Sequence, residues 1–251
     1  MQTSISDYEK YKNLCLLASK DDEVFSTFRS HTDYVGILEH VSYEYGNEYL
    51  KEIKKVIDID DNIVRSIKKV DEHGGPIRYS FGKFGSISPT MLRYLHVFSD
   101  IKRIYGDLNG KTIVEIGAGY GGQSAIINLI YNIKEYVIID LPETIELIKK
   151  FLITSGLDLN KYKFYTLENL IDIDSDFLIS NYAFSECYKN IQDVYMEKVV
   201  NRAINFYMAV NFISEELVYS KEELLQKLKG NIIVSKEKPL TRASNLLFYK
   251  G

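Results

Sequence analysis

The sequence predicts an α/β fold: a mostly parallel sheet covered by helices and preceded by a helical extension. Three observations carry that prediction. The stretch Val114-Glu115-Ile116-Gly117-Ala118-Gly119-Tyr120-Gly121-Gly122 runs from an apolar strand through a glycine-dense turn into a helical segment. Downstream of it, strand-like apolar runs alternate with segments of helical period, the spacing of βαβ units. The chain closes with two apolar runs, residues 231–235 and 245–249, separated by residues 236–244, which read as two last strands.

Taken in order, residues 1 to about 70 read as helices. Tyr8, Tyr11, Leu14 and Cys15 form one apolar stripe, and Tyr34, Ile37, Leu38 and Val41 a second. Tyr49, Leu50, Ile53, Val56 and Ile57 make a third, and Ile63, Val64 and Ile67 a fourth. A loop rich in glycine and aromatic residues follows, from Asp71-Glu72-His73-Gly74-Gly75-Pro76 to Gly85, long enough to suggest a functional role. Ser88-Pro89 opens a helix, serine as N-cap and proline in its first turn, with Met91, Leu95, Phe98 and Ile101 on the buried side. The first strand is expected over residues 112–116 and the second over 136–139, ending at Asp140. Pro142 opens the next helix and Gly156 closes it. Strands are expected at 163–166, 176–180 and 206–213, with a helix before the last of these presenting Ile191, Val194, Tyr195, Val199 and Ala203. Ser220 and Glu223 form a capping-box pattern at the start of a final short helix.

Length and charge narrow the function. At 251 residues the chain suits one decorated α/β domain, divided into a helical cap with a substrate or dimer loop over residues 1–87 and a cofactor-binding sheet domain over 88–251. The N-terminal helices are equally suited to packing, to substrate binding or to forming a homodimer. A net charge of −4, with 31 basic and 35 acidic residues interspersed, argues against nucleic acid and for a small-molecule partner. Cys15 and Cys187 lie far apart, without disulfide or zinc spacing. No apolar run is long enough to span a membrane and no secretory h-region is present, so a cytoplasmic protein is expected.

The glycine turn is a ligand site by its chemistry. Glycine lets the backbone bend sharply and approach a ligand, and the helix after it aims free N–H groups at the same point. Gly117, Gly119 and Gly122 also satisfy the dinucleotide fingerprint of NAD-binding folds. Glu115, two residues before the first glycine, sits poorly under a pyrophosphate and suits a cationic ligand. Asp140, 25 residues beyond Glu115, lies at a strand tip where an acid reaches the ribose hydroxyls of an adenosine cofactor. Glu168 stands after the third strand, where it meets an adenine or lies in a solvated loop. Residues 181–186, from Asn181 to Glu186, follow the fourth strand and face the same crevice as Gly117.

Ile87-Ser88-Pro89-Thr90-Met91-Leu92-Arg93-Tyr94, the glycine stretch through Gln123, Asp140-Leu141-Pro142-Glu143 and Ser180-Asn181-Tyr182-Ala183-Phe184-Ser185-Glu186 together resemble the bacterial sugar O-methyltransferases. The resemblance covers residues 70 to 215, and Asp140-Leu141-Pro142 is also similar to the ribose segment of plant and hydroxyindole O-methyltransferases. It implies the Rossmann-like sheet of class I methyltransferases, S-adenosylmethionine as cofactor, and a sugar hydroxyl, nucleotide-linked or within a surface glycan, as acceptor. In that reading Glu115, Gly117, Ala118, Gly119, Gly121, Gln123, Asp140, Leu141, Glu168 and Asn181 hold the cofactor, Glu115 serving its positively charged methionine end. Tyr182, Arg93 and Tyr94 hold the acceptor or the cofactor carboxylate.

A sugar hydroxyl needs a base. Glu186 and His73 are the candidates, the alternatives being a helix-start acid and a loop bystander. Asp71 and Glu72 are further options, as bases or as ligands of a divalent ion. The rival readings are an NAD-dependent sugar oxidoreductase and a non-catalytic binding module on the same fold.

Overall fold

The computed structural model describes residues 4, 8–58, 60–212 and 216–250. The N-terminal stripes become α1 (Glu9–Lys20), α2 (Asp22–Thr27), α3 (Thr32–Val35), α4 (Tyr43–Val56) and α5 (Asp61–Asp71). In α1 the buried side is Tyr11, Leu14, Cys15 and Ala18, while Tyr8 lies outside the helix and is exposed. The second stripe is corrected: α3 is a single turn ending at Val35, and Ile37, Leu38 and Val41 belong to the irregular segment after it. Within and just after the loop from 71 to 85 runs a small antiparallel pair, β1 (Tyr79–Ser80) and β2 (Ser86–Ile87).

Helix α6 (Pro89–Tyr105) starts as its caps dictate, the Ser88 Oγ accepting the Met91 N–H at 3.1 Å. Then come β3 (Thr112–Ile116), α7 (Gly122–Ile130), β4 (Glu135–Ile139), α8 (Pro142–Thr154), β5 (Tyr162–Tyr165), β6 (Ser175–Asn181) and α9 (Ala183–Glu186). The chain closes with α10 (Lys189–Lys198), β7 (Ala203–Val210), α11 (Lys221–Lys227), β8 (Ile232–Lys236) and β9 (Leu246–Lys250). Ala203 opens β7 instead of extending the helix face before it, and the expected strand end at Ile213 lies outside the described residues.

Seven strands form the central sheet in the order β5-β4-β3-β6-β7-β9-β8. All neighbours are parallel except β9, which runs antiparallel to β7 and β8 and so stands second from the edge. Alternation along each strand feeds two apolar layers. Ile113, Tyr136, Ile138, Phe177 and Ile179 face a core shared with α1, α4, α5, α6, α7 and α8. Val114, Ile116, Val137, Ile139 and Leu178 face the core under α10 and α11. The N-terminal helices therefore close over the same layer as the sheet: α1 packs on α8, α4 on α6, and α5 on α7. No helix among the described residues is long and apolar enough to cross a membrane.

The chain leaves β3 toward β4 and β5, then returns to place β6 on the other side. A crevice opens at the carboxyl ends of strands where the order reverses in this way.

Candidate active site

That crevice is a cavity of about 610 Å³, within the usual range for small-ligand sites. Its floor is the turn after β3. Gly117 has φ +73° and donates its N–H to the Ile139 carbonyl at 2.9 Å. A Cβ there would lie 2.1 Å from the Ala183 Cβ, so the turn and the start of α9 meet at a distance only glycine allows. Gly119, at φ +63°, also lines the cavity, and a Cβ on it would meet Leu38 at 2.8 Å.

Asp140 stands beside this turn at the tip of β4. It accepts the Leu141 N–H at 2.8 Å and the Gly119 N–H at 3.3 Å. Burial pushes its carboxyl up to about 7, and the N–H groups of Leu141, Ala118 and Gly119 limit that rise. Ile116, Ile139, Leu141 and Leu167 supply apolar wall next to it, and Glu168 lies on the same lining. On the opposite strand end, Asn181 reaches the cavity with its side-chain N and O both buried and without a partner among the described residues. Such a group points to a ligand that completes it.

Tyr182 lines the cavity with φ 70°, the strained region for a residue with a side chain, and its hydroxyl is bound to the Glu237 carboxylate. Glu186 lines it too and accepts the Asn211 Nδ2 at 2.7 Å. Arg93 reaches in from the first turns of α6.

The remaining expected residues do not reach the cavity. Glu115 is 1% exposed and accepts the Tyr136 hydroxyl at 2.8 Å. Strand alternation sends it, with Ile113, into the layer under the helices, and burial pushes its carboxyl up to about 8. The Glu115 side chain thus lies in the helical layer and not on the cavity wall. Ala118, Gly121 and Gln123 are buried in or behind the turn, Gly121 packing near Ile148 and Leu152. Tyr94 is 3% exposed and backs the turn, where a Cβ on Gly122 would lie 2.7 Å from its ring. These residues shape the turn from behind.

His73 is half-buried edge-on to the Phe151 ring at 6.2 Å, and its carbonyl accepts Arg29 Nη1 at 3.2 Å. It is outside the cavity, which removes it as a base. Asp71 is fully buried, pairs with Arg29 Nη2 at 3.0 Å and accepts the Ser88 N–H at 2.7 Å and Oγ–H at 2.6 Å. It ties α5 and the Phe28–Ser30 turn to the start of α6, while Glu72 is exposed and pairs with Arg78 at 3.4 Å. Among the described residues no group of three or more metal-ligating side chains forms.

Several lining residues had no signal in the sequence. Tyr49 reads as helix packing, Thr241 and Arg242 fall in the spacer between the last two strands, Asn245 opens the last strand, and His40 and Tyr45 belong to no pattern. They meet only through the tertiary fold. Thr241 Oγ1 and Asn245 Nδ2 both donate to Glu237, at 2.5 and 3.2 Å, and Tyr45 donates to the Thr241 carbonyl at 3.2 Å. These bonds hold the β8–β9 connection over the cavity.

No protein-family model matches the sequence, and no curated protein matches it either. Among solved structures the chain is similar to the methyltransferase domain of bacterial CtHen1-CN, at 10% identity and a TM-score of 0.48, over 62% of this chain and 96% of that one. It is similar to an rRNA methylase from Streptococcus thermophilus at 14% identity and a TM-score of 0.43, over 57% and 87%. It is also similar to protein 1320 of Thermoplasma acidophilum at 12% identity and a TM-score of 0.47, over 77% and 96%. The fold follows from strand order and register: a mixed α/β, Rossmann-like sheet of the class I methyltransferase type, parallel but for β9.

Proposed function

We propose that the protein is an S-adenosylmethionine-dependent O-methyltransferase acting on a sugar hydroxyl, nucleotide-linked or within a surface glycan. The observation that supports this best is the convergence of Gly117, Gly119, Asp140 and Asn181 on one cavity where the strand order reverses. The antiparallel β9 favours this over a dinucleotide fold, which adds further parallel strands through helices.

The residues fit the cofactor. Asp140 would accept from ribose hydroxyls, the apolar wall of Ile116, Ile139, Leu141 and Leu167 would take the adenine, and the Asn181 amide, without a partner among the described residues, would serve the methionine end. When bound, S-adenosylmethionine supplies an electrophilic methyl group for in-line displacement by the acceptor oxygen. Glu186, oriented by Asn211, takes the proton that this oxygen gives up. Tyr182, fixed by Glu237, and residues of the 1–87 cap such as Tyr45 and Tyr49 position the acceptor.

Calorimetric titration with S-adenosylhomocysteine and with NAD tests the cofactor; binding of NAD alone overturns the reading. Transfer of labelled methyl to a sugar panel tests the reaction. Glu186→Gln is expected to keep cofactor affinity and lose roughly 10²-fold or more in turnover, while His73→Ala keeps both. Full turnover in Glu186→Gln refutes its role.

A further inference from the structure

The cavity wall carries the acids Asp140, Glu168 and Glu186 and also a basic end, where α6 contributes Arg93, the segment after α3 contributes His40 and the β8–β9 connection contributes Arg242, both arginine charges acting on His40. Arg93 is only 8% exposed, and its guanidinium is far from satisfied. Nη2 donates a long 3.5 Å bond to the Leu38 carbonyl, and the buried Nε has no partner among the described residues.

Nearby acids are engaged elsewhere. Glu39 sits 2.6 Å from Arg29 Nε, and Glu237 accepts from Thr241 at 2.5 Å, from Asn245 at 3.2 Å and from Tyr182. Neither Arg93 nor Arg242 forms an ion pair among the described residues. Burial and the charges of both arginines push the His40 imidazole below its usual range, as one shared positive field requires. A buried cation without a counter-charge is costly, and a guanidinium fork matches a carboxylate or phosphate two bonds at a time.

We infer that this end of the cavity is an oxyanion subsite formed by Arg93 and Arg242, and that the acceptor carries a carboxylate or phosphate group. The link to an acceptor rests on the methyl-transfer reading; the subsite itself does not.

The test is calorimetric titration of the full chain, with and without saturating S-adenosylhomocysteine. The probes are D-glucuronate, glucose 1-phosphate and UDP-glucose, with methyl α-D-glucopyranoside as the neutral control. At least one anion is expected to bind roughly tenfold or more tightly than the control, and which one binds separates a uronate, a sugar phosphate and a nucleotide sugar as the source. Arg242→Ala, at an exposed position, is expected to weaken that probe by roughly tenfold or more while S-adenosylhomocysteine affinity stays unchanged. Arg93→Gln should act the same way if it folds, and Arg242→Ala decides the matter if it does not. The inference is overturned if no anion outbinds the control, if Arg242→Ala leaves anion affinity intact, or if both variants weaken S-adenosylhomocysteine alone. Absence of S-adenosylhomocysteine binding to the wild type would instead remove the methyl-transfer reading, with the anion titrations still reporting on the arginines.

Discussion

Replacing Asp140 with asparagine should make the free protein more stable and the cofactor site worse. The carboxyl is pushed up to about 7 by burial. Against an unfolded value of about 3.9, a rise of about 3 units at ~1.4 kcal/mol each sets an upper bound of ~4 kcal/mol for holding it ionised. Two effects reduce that figure. The side chain is partly open to the cavity, so solvent screens it, and asparagine presents an NH₂ group to one of the N–H donors, Gly119 or Leu141, at a cost of about 1–2 kcal/mol. A net gain of about 1–2 kcal/mol at pH 8 remains, a rise in Tm of roughly 2–8 °C.

The sign depends on pH. Between the unfolded value and about 7 the folded state holds the extra proton, so this stabilisation is complete at low pH and is lost as pH rises through 7. The advantage of Asp140→Asn therefore grows from pH 5 to pH 8. Loss of the ionised acceptor should weaken S-adenosylhomocysteine by roughly 10- to 100-fold at pH 8. Scanning calorimetry of the free protein at both pH values, paired with titration, reads both effects. A lower Tm at pH 8, or unchanged affinity, refutes the reasoning.

Glu115→Gln keeps the Tyr136 hydrogen bond and removes an acid pushed up to about 8, so its stability relative to wild type should rise from pH 6 to pH 9 in urea unfolding. Its S-adenosylhomocysteine affinity should stay within roughly twofold; a large loss would return Glu115 to the binding site. Gly117→Ala combines a left-handed backbone with the contact to the Ala183 Cβ and should cost about 2–5 kcal/mol in urea unfolding. Adding Ala183→Gly should recover part of that cost, and no recovery would disprove the close approach. Asp71→Ala leaves the buried Arg29 with the Glu39 carboxylate but takes the acceptor from its Nη2 and from the buried Ser88 N–H, and should cost about 2–5 kcal/mol, measured the same way, with a cost below about 1 kcal/mol counting against the ion pair as a strut.

Local chemistry made much of the fold readable. The glycine turn, the Ser88-Pro89 start and the Ser220–Glu223 box each act within a few residues, and each appears where the sequence places it. The lone pair of closing strands likewise announced β8 and β9, though not that β9 inserts between β7 and β8. What stayed hidden depends on distant partners. The spacing of Glu115 from Gly117 says nothing of the Tyr136 hydroxyl that holds it in the helical layer. His73 lay in a suggestive loop, but packing against Phe151 on α8 turns it away from the cavity. Arg242 carries no motif at all and gains meaning only from Arg93, some 150 residues earlier in the chain.

The common apolar layer beneath α1–α8 and the sheet has an evolutionary corollary. A lid resting on a domain can be exchanged whole, whereas here Tyr11, Tyr49 and Arg93 each touch the cavity while belonging to the buried interior. Drift in ligand choice at those positions must pass through weakened folding. Arg242 on the β8–β9 connection is under no such constraint, since its side chain is exposed, and specificity is freest to diverge there.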